Sequence, residues 1–446
     1  MIKKILTAIC LFTTVLVHAQ TGNRGINLEQ VLSLGALNNQ TVQQTEAEVD
    51  LANARLSQAR SWWVPQLTAG MNSHILDGAA LNANGRFYLD IRQKTLWTGI
   101  GATADWDLQK GILGNQVASL GNAAARLRSQ ADRNEILLTI INNYYDVLAA
   151  QLTWQAWEQL AIKSDSIARQ TEAYAESGLV AVSSSLIAKS NALRLHSEAL
   201  KHKASWQQKS GELSALLDLP PGTNLVATDT LLPLVTISDE LMATEIDYTA
   251  QINEAHPRIL SEEKTLEMKQ KGLTAANWGW LWPHFTVQAY SARFGGLFEE
   301  VRPVDEVTFP DPKKSYDTKV LNAGISWSLP LANLTHGGER KEAQALQRMA
   351  RLELEKQKSS IGNRFAADRN NLLNGKKRIE LAQSSVALAE NALQQSLARQ
   401  QSGTLEPLET IQALELTVKA RLELIAAVCD YNKLQYELWV VAGRSL

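Results

Sequence analysis

Two long stretches of the chain lack the residues that would end a helix. Residues 115–177 contain no proline and a single glycine, Gly121, and they are rich in Ala, Leu, Gln, Glu, Arg and Lys. These residues favour helix, and one rod of that length would measure roughly 90 Å. No proline lies between Pro330 and Pro407, where a second long helix is predicted over 338–402. The chain must therefore fold around two unusually long helices.

Each long helix is followed by a turn signal and a second helical stretch. Gly178 is followed by serines at 183–185, and Gly403 is followed by Pro407. A glycine after a helix, then a serine cap or a proline at the next helix start, is typical of a helical reversal. The return helices are predicted at 184–217 and 407–442.

The two halves of the chain repeat one plan. The sequence WWVP at 62–65 recurs as WLWP at 280–283, and ESGL at 176–179 recurs as QSGT at 401–404. A repeat at a spacing of about 220 residues is too long for a solenoid and indicates a duplicated, domain-sized unit. The predicted domains are a first repeat at 20–219, a linker at 220–243 and a second repeat at 244–446.

The second long helix has two apolar flanks. One follows the 3-4 spacing of a coiled-coil seam, and it comprises Ile379, Ala382, Val386, Ala389 and Leu393. A second stripe lies beside it, at Leu381, Leu388 and Ala392. A helix with two apolar flanks packs against two neighbours, which suits a cylinder wall better than an isolated helix pair.

Four shorter segments alternate between apolar and small or polar residues, at about 66–76, 95–108, 284–294 and 319–331. In the last one, Leu321, Ala323, Ile325 and Trp327 alternate with Asn322, Gly324, Ser326 and Ser328. This period of two is typical of membrane β-barrel strands, and a half-buried strand of a soluble sheet shows the same pattern.

The positions of tryptophan favour the membrane interpretation. Eight of the twelve tryptophans lie in or beside these four segments, and indole rings collect at bilayer interfaces. The candidate interface aromatics are Trp63, Trp97, Trp106, Trp282 and Trp327. Four strands cannot close a barrel, and lipid tolerates no open strand edges. Copies must therefore pool their strands; a trimer would give twelve, and the sequence equally allows a dimer.

The N-terminus has the form of a secretory signal peptide over residues 1–19. Lys3 and Lys4 precede a short apolar run, and small residues precede a cleavage position after Ala19. Cys10 lacks the context of a lipidation site, so the mature chain is expected to be exported without a lipid anchor. No later stretch is apolar enough for a transmembrane helix. The near-neutral charge, 44 basic against 46 acidic residues, argues against nucleic-acid binding.

The chain resembles the TolC-like outer-membrane efflux proteins along essentially its whole mature length. The resemblance is carried by NLEQ at 27–30, WVPQL at 63–67, NYYDVL at 143–148, GLVA at 178–181, SLPL at 328–331 with Gly337-Gly338, GTL at 403–405 and LETIQA at 408–413. It implies a mainly α fold with a membrane β section. Three copies would form a twelve-stranded outer-membrane barrel continuous with a periplasmic α-helical barrel.

The resemblance also implies partners and a mouth. The partners would be a periplasmic adaptor (membrane fusion) protein and an inner-membrane pump or transporter, with the chain as exit duct for efflux or type I secretion. The constricted periplasmic mouth would involve Gly178, Ser184, Gly403, Leu405, Glu409 and Gln412. Leu405, Gln400 and Ser184 replace the family's basic, aromatic and acidic tip lock, so that lock is absent here.

Two groups of carboxylates have competing interpretations. Glu409 matches an acidic ring in relatives, yet it also lies in a first helical turn, where a carboxylate favours the helix dipole. Asp105 and Asp107 are candidate lumen residues, and solvated carboxylates at the periplasmic rim are the alternative.

No catalytic, cofactor-binding or metal-binding motif occurs in the chain, so no enzyme activity is expected. The alternative function is a periplasmic coiled-coil adaptor or scaffold without a pore. Such an adaptor has one helical hairpin, whereas this sequence predicts two.

Overall fold

The structure, a computed structural model, describes residues 23–81, 87–232, 234–243, 248–300, 318–329, 337–401 and 407–446. The predicted signal peptide and the candidate mouth residues Gly403 and Leu405 lie outside these ranges. The chain is mainly α, with one four-stranded and one two-stranded sheet in the described part.

The elements follow in chain order, and the structure gives each of them these bounds: β1 (Asn23–Ile26), α1 (Leu28–Asn38), α2 (Gln40–Arg60), β2 (Gln66–Leu81), β3 (Phe87–Asp107), α3 (Asn115–Glu176), α4 (Val182–Leu216), β4 (Asn224–Ala227), α5 (Asp239–Ala243), α6 (Tyr248–Ala255), α7 (Pro257–Trp278), β5 (His284–Glu300), β6 (Thr318–Ser328), α8 (Gly337–Gln401) and α9 (Pro407–Val441). A π-helical turn, Lys110–Gly114, precedes α3, and a 3₁₀ turn, Gly279–Leu281, follows α7. The four long helices lie within two residues of the predicted bounds. β2, β3 and β5 extend well beyond the predicted segments at one end, whereas β6 begins one residue earlier than predicted and ends before the predicted C-terminal end.

Local sequence explains where α1 begins. The Asn27 side chain accepts a hydrogen bond from the Gln30 backbone N–H at 2.8 Å, and the Gln30 side chain accepts one from the Asn27 N–H at 3.2 Å. This reciprocal capping box satisfies two backbone donors at the helix start. The first motif of the family resemblance is therefore a helix-initiation signal.

The chain forms two compact units, and each takes segments from both halves of the sequence. The first unit comprises the N-terminal segment up to Ala47, Ser129–Pro257 and Lys358–Leu446. The second comprises Glu48–Arg128 and Arg258–Gln357. The sequence repeats therefore do not coincide with the compact units. Each repeat contributes its long strands to the second unit and part of its long helix to the first.

The core of the first unit includes a small parallel sheet. β1 pairs with β4 in the register Ile26 to Ala227, and the Gln151 amide bonds both the N–H and the carbonyl of Ala227, at 2.9 and 3.1 Å. Tyr144 is fully buried beside this sheet, and its hydroxyl donates to Asp229 at 2.7 Å. The segment predicted as a plain linker thus contributes a strand to the core.

A second core lies between the long helices of the first unit. It joins small and aliphatic side chains of α3, α4, α8 and α9, among them Leu160, Ala192, Leu195, Leu393 and Leu414. Ile379, Ala382, Ala389 and Leu393 of the predicted α8 seam are buried, whereas Leu381 and Leu388 of the second stripe are 65% and 72% exposed.

The sheet of the second unit is antiparallel, in the order β2-β3-β5-β6. Consecutive strands pair directly, with Leu67 opposite Ala102, Ala102 opposite Ala289, and Ala289 opposite Ala323. β2 and β6 are the two edges of this sheet. In the described part of the chain, no helix combines the length and the apolar character needed to cross a bilayer.

Candidate functional site

The four-stranded sheet has one apolar and one polar face. Side chains on the apolar face are largely exposed in the single chain, with Leu67 at 78%, Ile100 at 66%, Leu321 at 77% and Ile325 at 73% exposure. Exposed aliphatic side chains from β2, β3 and β6 on one face are not typical of a soluble sheet, because such a patch would normally be buried. The predicted alternation is therefore present in three dimensions, in one continuous register.

The opposite face carries small and polar residues in matching rows. Thr68 lies opposite Gly101, Gly101 opposite Tyr290, and Tyr290 opposite Asn322. The next row along the strands joins Gln66, Thr103, Gln288 and Gly324. Such a face tolerates water and leaves space beside the backbone.

An aromatic row closes the apolar face at the end nearest the helices. Trp106 lies opposite Phe285, and Phe285 lies opposite Trp327, which is 68% exposed. The Trp106 indole N–H donates to the carbonyl oxygen of Trp63 at 2.9 Å, so it is satisfied while the ring stays on the apolar side. Trp63 is 58% exposed, and half-buried Trp282 lies two residues before the start of β5.

Trp97 is the remaining predicted interface aromatic. Its backbone pairs with Asn72 and Phe294, and its side chain lies outside what the structure describes.

The two candidate lumen carboxylates have different surroundings. Asp105 is exposed and lies opposite Thr286, in the strand set that contains Gly101 and Thr103. Asp107 ends β3, and its carboxylate accepts a hydrogen bond from the Lys110 backbone N–H at 3.0 Å. The Asp107 carboxylate therefore satisfies a backbone N–H at the start of the helical segment before α3, which is a structural role at the end of the sheet.

The turn between α3 and α4 is a Schellman motif centred on Gly178. The Leu179 N–H donates to Tyr174 O at 2.9 Å, and the Gly178 N–H donates to Ala175 O at 3.1 Å. Gly178 has φ +76°, a left-handed conformation that glycine adopts without the strain of a Cβ atom. The predicted stop signal thus acts as expected.

The start of α4 differs from the prediction. The helix begins at Val182, its N-cap is Ala181, and no side chain caps it. Ser184 lies inside the first turn, where its backbone N–H donates to Ala181 O at 3.0 Å. The predicted serine cap is therefore wrong, because the reversal after Gly178 is shorter than the serine positions suggest.

The second turn is only partly described. Glu409 and Gln412 are exposed near the start of α9, and Thr410 and Ile411 between them are buried. The exposed carboxylate fits both of its predicted roles, since it lies in the first helical turn and on the solvent side of the helix.

Ion pairs between neighbouring helices were not predicted from the sequence. Lys189 pairs with Glu172, and His196 Nε2 lies 2.7 Å from Asp165 Oδ2, so both link α4 to α3. Arg421 Nε donates to Glu390 at 3.0 Å and links α9 to α8. All of these side chains are substantially exposed, so each pair contributes little to stability. The two pairs between α3 and α4 follow the register of antiparallel helices. The sequence therefore predicts such ion pairs once the hairpin is assumed.

Asp368 on α8 is a buried carboxylic acid that no sequence pattern marks. It is 8% exposed, its Oδ2 has no hydrogen-bond partner, and Arg364 Nε lies 3.8 Å from that atom. Burial and the nearby Glu437 carboxylate raise the pKa of Asp368 to about 6.

The described residues bring together some of the predicted sites. The strand residues lie in one sheet, and Gly178 and Ser184 lie in one turn. An acidic ring would need the Glu409 side chains of several copies.

Comparison with known proteins agrees with this architecture. The model of the family described as outer membrane efflux protein matches residues 31–218. No curated protein matches the chain in sequence.

Solved structures of outer-membrane channels are similar over nearly the whole chain. The CmeC outer membrane channel of Campylobacter jejuni is 14% identical, with a TM-score of 0.74, over 94% of this chain and 85% of that one. VceC from Vibrio cholerae is 17% identical, with a TM-score of 0.71, over 94% and 96%. The outer-membrane channel OprN is 15% identical, with a TM-score of 0.74, over 93% and 89%. At these identities the likeness shows a shared fold.

Proposed function

Because residues 31–218 match the model of the outer membrane efflux protein family and the fold is that of outer-membrane channels, we propose that the chain is a TolC-like protein of this family and the exit duct of a tripartite efflux or type I secretion system. Proteins of this family are channels and not enzymes. The duct would conduct cargo passively from a periplasmic adaptor protein and an inner-membrane pump to the outside. Export would use the predicted signal peptide, and the protein would lie in the outer membrane and reach into the periplasm.

The exposed apolar face of the four-stranded sheet is the observation that carries this proposal. Leu67, Ile100, Leu321 and Ile325 present aliphatic side chains to the surroundings, with an aromatic row at one end. A lipid-facing strand surface has this composition, with aromatic residues at the interface. The polar face would then line a water-filled lumen.

The two free edges of that sheet support an oligomer. In the described part of one chain, β2 and β6 have no further strand beside them, and hydrocarbon leaves unpaired backbone groups unsatisfied. Pairing β6 of one copy with β2 of the next would remove every edge. Three copies would give a twelve-stranded barrel, above the roughly eight strands of the smallest closed barrels.

Exposed leucines on the long helices support the same assembly. On α4, Leu186, Leu193 and Leu200 recur at intervals of seven and are 63%, 73% and 67% exposed. On α8, Leu381 and Leu388 recur at the same interval. A seven-residue repeat is the spacing of a helix that packs against a long partner helix. We infer that these stripes pack between protomers in a periplasmic α-helical barrel.

In this trimer, both hairpin turns of each chain would meet at the periplasmic mouth. The α3–α4 turn at Gly178 and the segment before Glu409 would surround the axis, where three Glu409 carboxylates would form an acidic ring. The adaptor would dock near these turns. The cargo is not specified by any of these residues.

Two measurements test the proposal together. Membranes of expressing cells are extracted with urea and then with detergent, and the detergent extract is sized. The expected result is a urea-resistant membrane protein that is a trimer in detergent and forms ion-conducting channels in planar bilayers. Release by urea, or a monodisperse monomer that retains its strand content, would contradict the shared barrel.

A further inference from the structure

An open trough lies on the polar face of the β2-β3-β5-β6 sheet. Its volume is 510 Å³, and its lining includes Thr68, Gly70, Gly99, Gly101, Tyr290 and Asn322. Three glycines leave the floor of the trough without side chains, so the ring of Tyr290 is the largest group beside it. The position of that ring therefore decides how much space this part of the wall leaves free.

The Tyr290 ring lies over the backbone of Gly101 on the neighbouring strand. The two residues are directly opposite each other, and Gly101 is buried. A Cβ atom on Gly101 would lie 2.3 Å from Tyr290 Cδ1 and 2.6 Å from Cε1. Atoms cannot approach so closely, so the ring can occupy this place only because residue 101 is glycine.

A polar contact fixes the other end of the ring. The Tyr290 hydroxyl lies 3.3 Å from Thr103 Oγ1, on the same strand as Gly101. The ring thus follows β3 along the wall from residue 101 to residue 103. An aromatic side chain that covers a cross-strand glycine is a known stabilising arrangement in sheets.

We propose that the missing side chain at Gly101 allows the Tyr290 ring to lie against the channel wall. These two residues together then determine the width of the lumen at their height along the barrel. The proposal rests on the proposed function, which turns the polar face inward. A methyl group at position 101 would occupy the space of the Tyr290 ring and displace it. The other staggered rotamers turn it away from β3, into the trough or the lumen. In a trimer this would occur three times at one height.

Polymer exclusion in planar bilayers tests the proposal. Neutral polymers of graded size are added on the extracellular side, and the smallest size that no longer changes channel conductance is recorded. Gly101→Ala should shift this cutoff to smaller polymers. Tyr290→Ala and the double variant Gly101→Ala/Tyr290→Ala should show the wild-type cutoff or a larger one, because no ring remains to be displaced.

Gly324→Ala is the matched control. Gly324 lies on the same face, and a Cβ atom there would meet Gln288 only at an ordinary distance of 3.7 Å. This variant should keep the wild-type cutoff. A wild-type cutoff in Gly101→Ala, or a narrowed lumen that persists in the double variant, would overturn the proposal. If Gly101→Ala fails to assemble, restored assembly in the double variant Gly101→Ala/Tyr290→Ala supports the proposal. Failure of the double variant to assemble overturns it.

A labelling experiment separates this proposal from the proposed function. A membrane-impermeant maleimide should label Ser326→Cys on the polar face and not Ile325→Cys on the apolar face. The native Cys429 is 1% exposed, and burial raises the pKa of its thiol to about 12, so it should not react. An unlabelled Ser326→Cys would contradict the inward orientation itself. A labelled Ser326→Cys together with an unchanged polymer cutoff in Gly101→Ala would overturn only the role of Gly101 and Tyr290.

Discussion

At the scale of single residues, the structure separates groups that carry local signals from groups whose importance depends on burial. Gly178 and Asn27 act through their own backbone neighbourhood, and their roles follow from sequence position. Asp368 is different, because nothing in its sequence neighbours marks it as buried. The packing of α8 and the Glu437 carboxylate on α9 form its environment. Among the carboxylic acids in the described part of the chain, it is the one whose pKa is raised.

Replacing Asp368 with Asn should stabilise the protein at neutral pH. The pKa of Asp368 is raised from 3.8 to about 6 in the fold, so the unfolded chain ionises first. Stability then falls as the pH rises from about 4 to 6 and stays reduced above 6. The variant should therefore be more stable by about 1–3 kcal/mol above pH 6, and equal to wild type below pH 4.

The measurement is thermal melting of the purified protein by circular dichroism across that pH range. Asp430→Asn is the control, since Asp430 is an exposed partner of Arg378 and its loss should not stabilise. A stability difference that is the same at pH 4 and pH 8 would show that ionisation of Asp368 is not its origin.

At the scale of elements, α8 and the four-stranded sheet each carry apolar side chains that remain exposed in the single chain. The α8 seam around Ile379 and Ala389 is buried within the chain, and the neighbouring Leu381 and Leu388 are exposed. The sheet repeats this on a larger scale, with an exposed aliphatic face. In the proposed trimer, lipid would cover the aliphatic face of the sheet and neighbouring protomers would cover the α8 stripe.

The sheet faces should respond differently to a charge. Ile325→Arg should cost about 2–4 kcal/mol if residue 325 faces lipid near the bilayer midplane, because a charge there is costly. Ser326→Arg should be milder, since residue 326 lies on the polar face. The amount of assembled oligomer in the outer membrane is the measure. Equal assembly of the two variants would show that the alternation is not a membrane pattern.

The exposed α8 stripe should matter only in the oligomer. Leu388→Glu places a charge in the inferred contact between protomers, so it should reduce the trimer fraction in detergent while the helix content stays unchanged. Ala387→Glu, on an exposed position of the same helix that lies about 100° around the axis from Leu388, is the matched control and should keep the trimer. A full trimer population in Leu388→Glu would place the protomer contact elsewhere on the helix.

At the scale of the whole molecule, the proposed function depends on a symmetric assembly of several copies. One Glu409 is an exposed first-turn carboxylate, whereas three around an axis would attract cations and raise one another's proton affinity. One compact unit contains the four-stranded sheet, and the other contains the α3–α4 turn and the start of α9, which the proposal assigns to the mouth.

Glu409→Gln should weaken the cation preference of the channel and reduce its block by multivalent cations. The physical reason is the loss of three negative charges at a narrow opening. The measurement is the reversal potential in planar bilayers under a salt gradient. If Glu409 acts only on the helix dipole, stability should fall by roughly 0.3–1 kcal/mol with selectivity unchanged. That result would leave Glu409 as a helix-start residue.

The sequence by itself determined the elements whose causes are local. The absence of proline and the paucity of glycine set the long helices, Gly178 and Pro407 set the reversals, and period-two alternation set the strands. These signals act between residues a few positions apart, so they survive without knowledge of the fold. The alternation also separates the apolar from the polar face of a strand, because successive side chains point to opposite sides.

Only the tertiary structure decided which distant segments meet. β4 pairs with β1 across some 200 residues, Tyr290 covers Gly101, and Asp368 is buried near Glu437. No local pattern encodes these contacts, since each depends on long-range packing that brings two otherwise ordinary residues together. The predicted linker therefore became part of a core, and the two sequence repeats interleaved into two compact units.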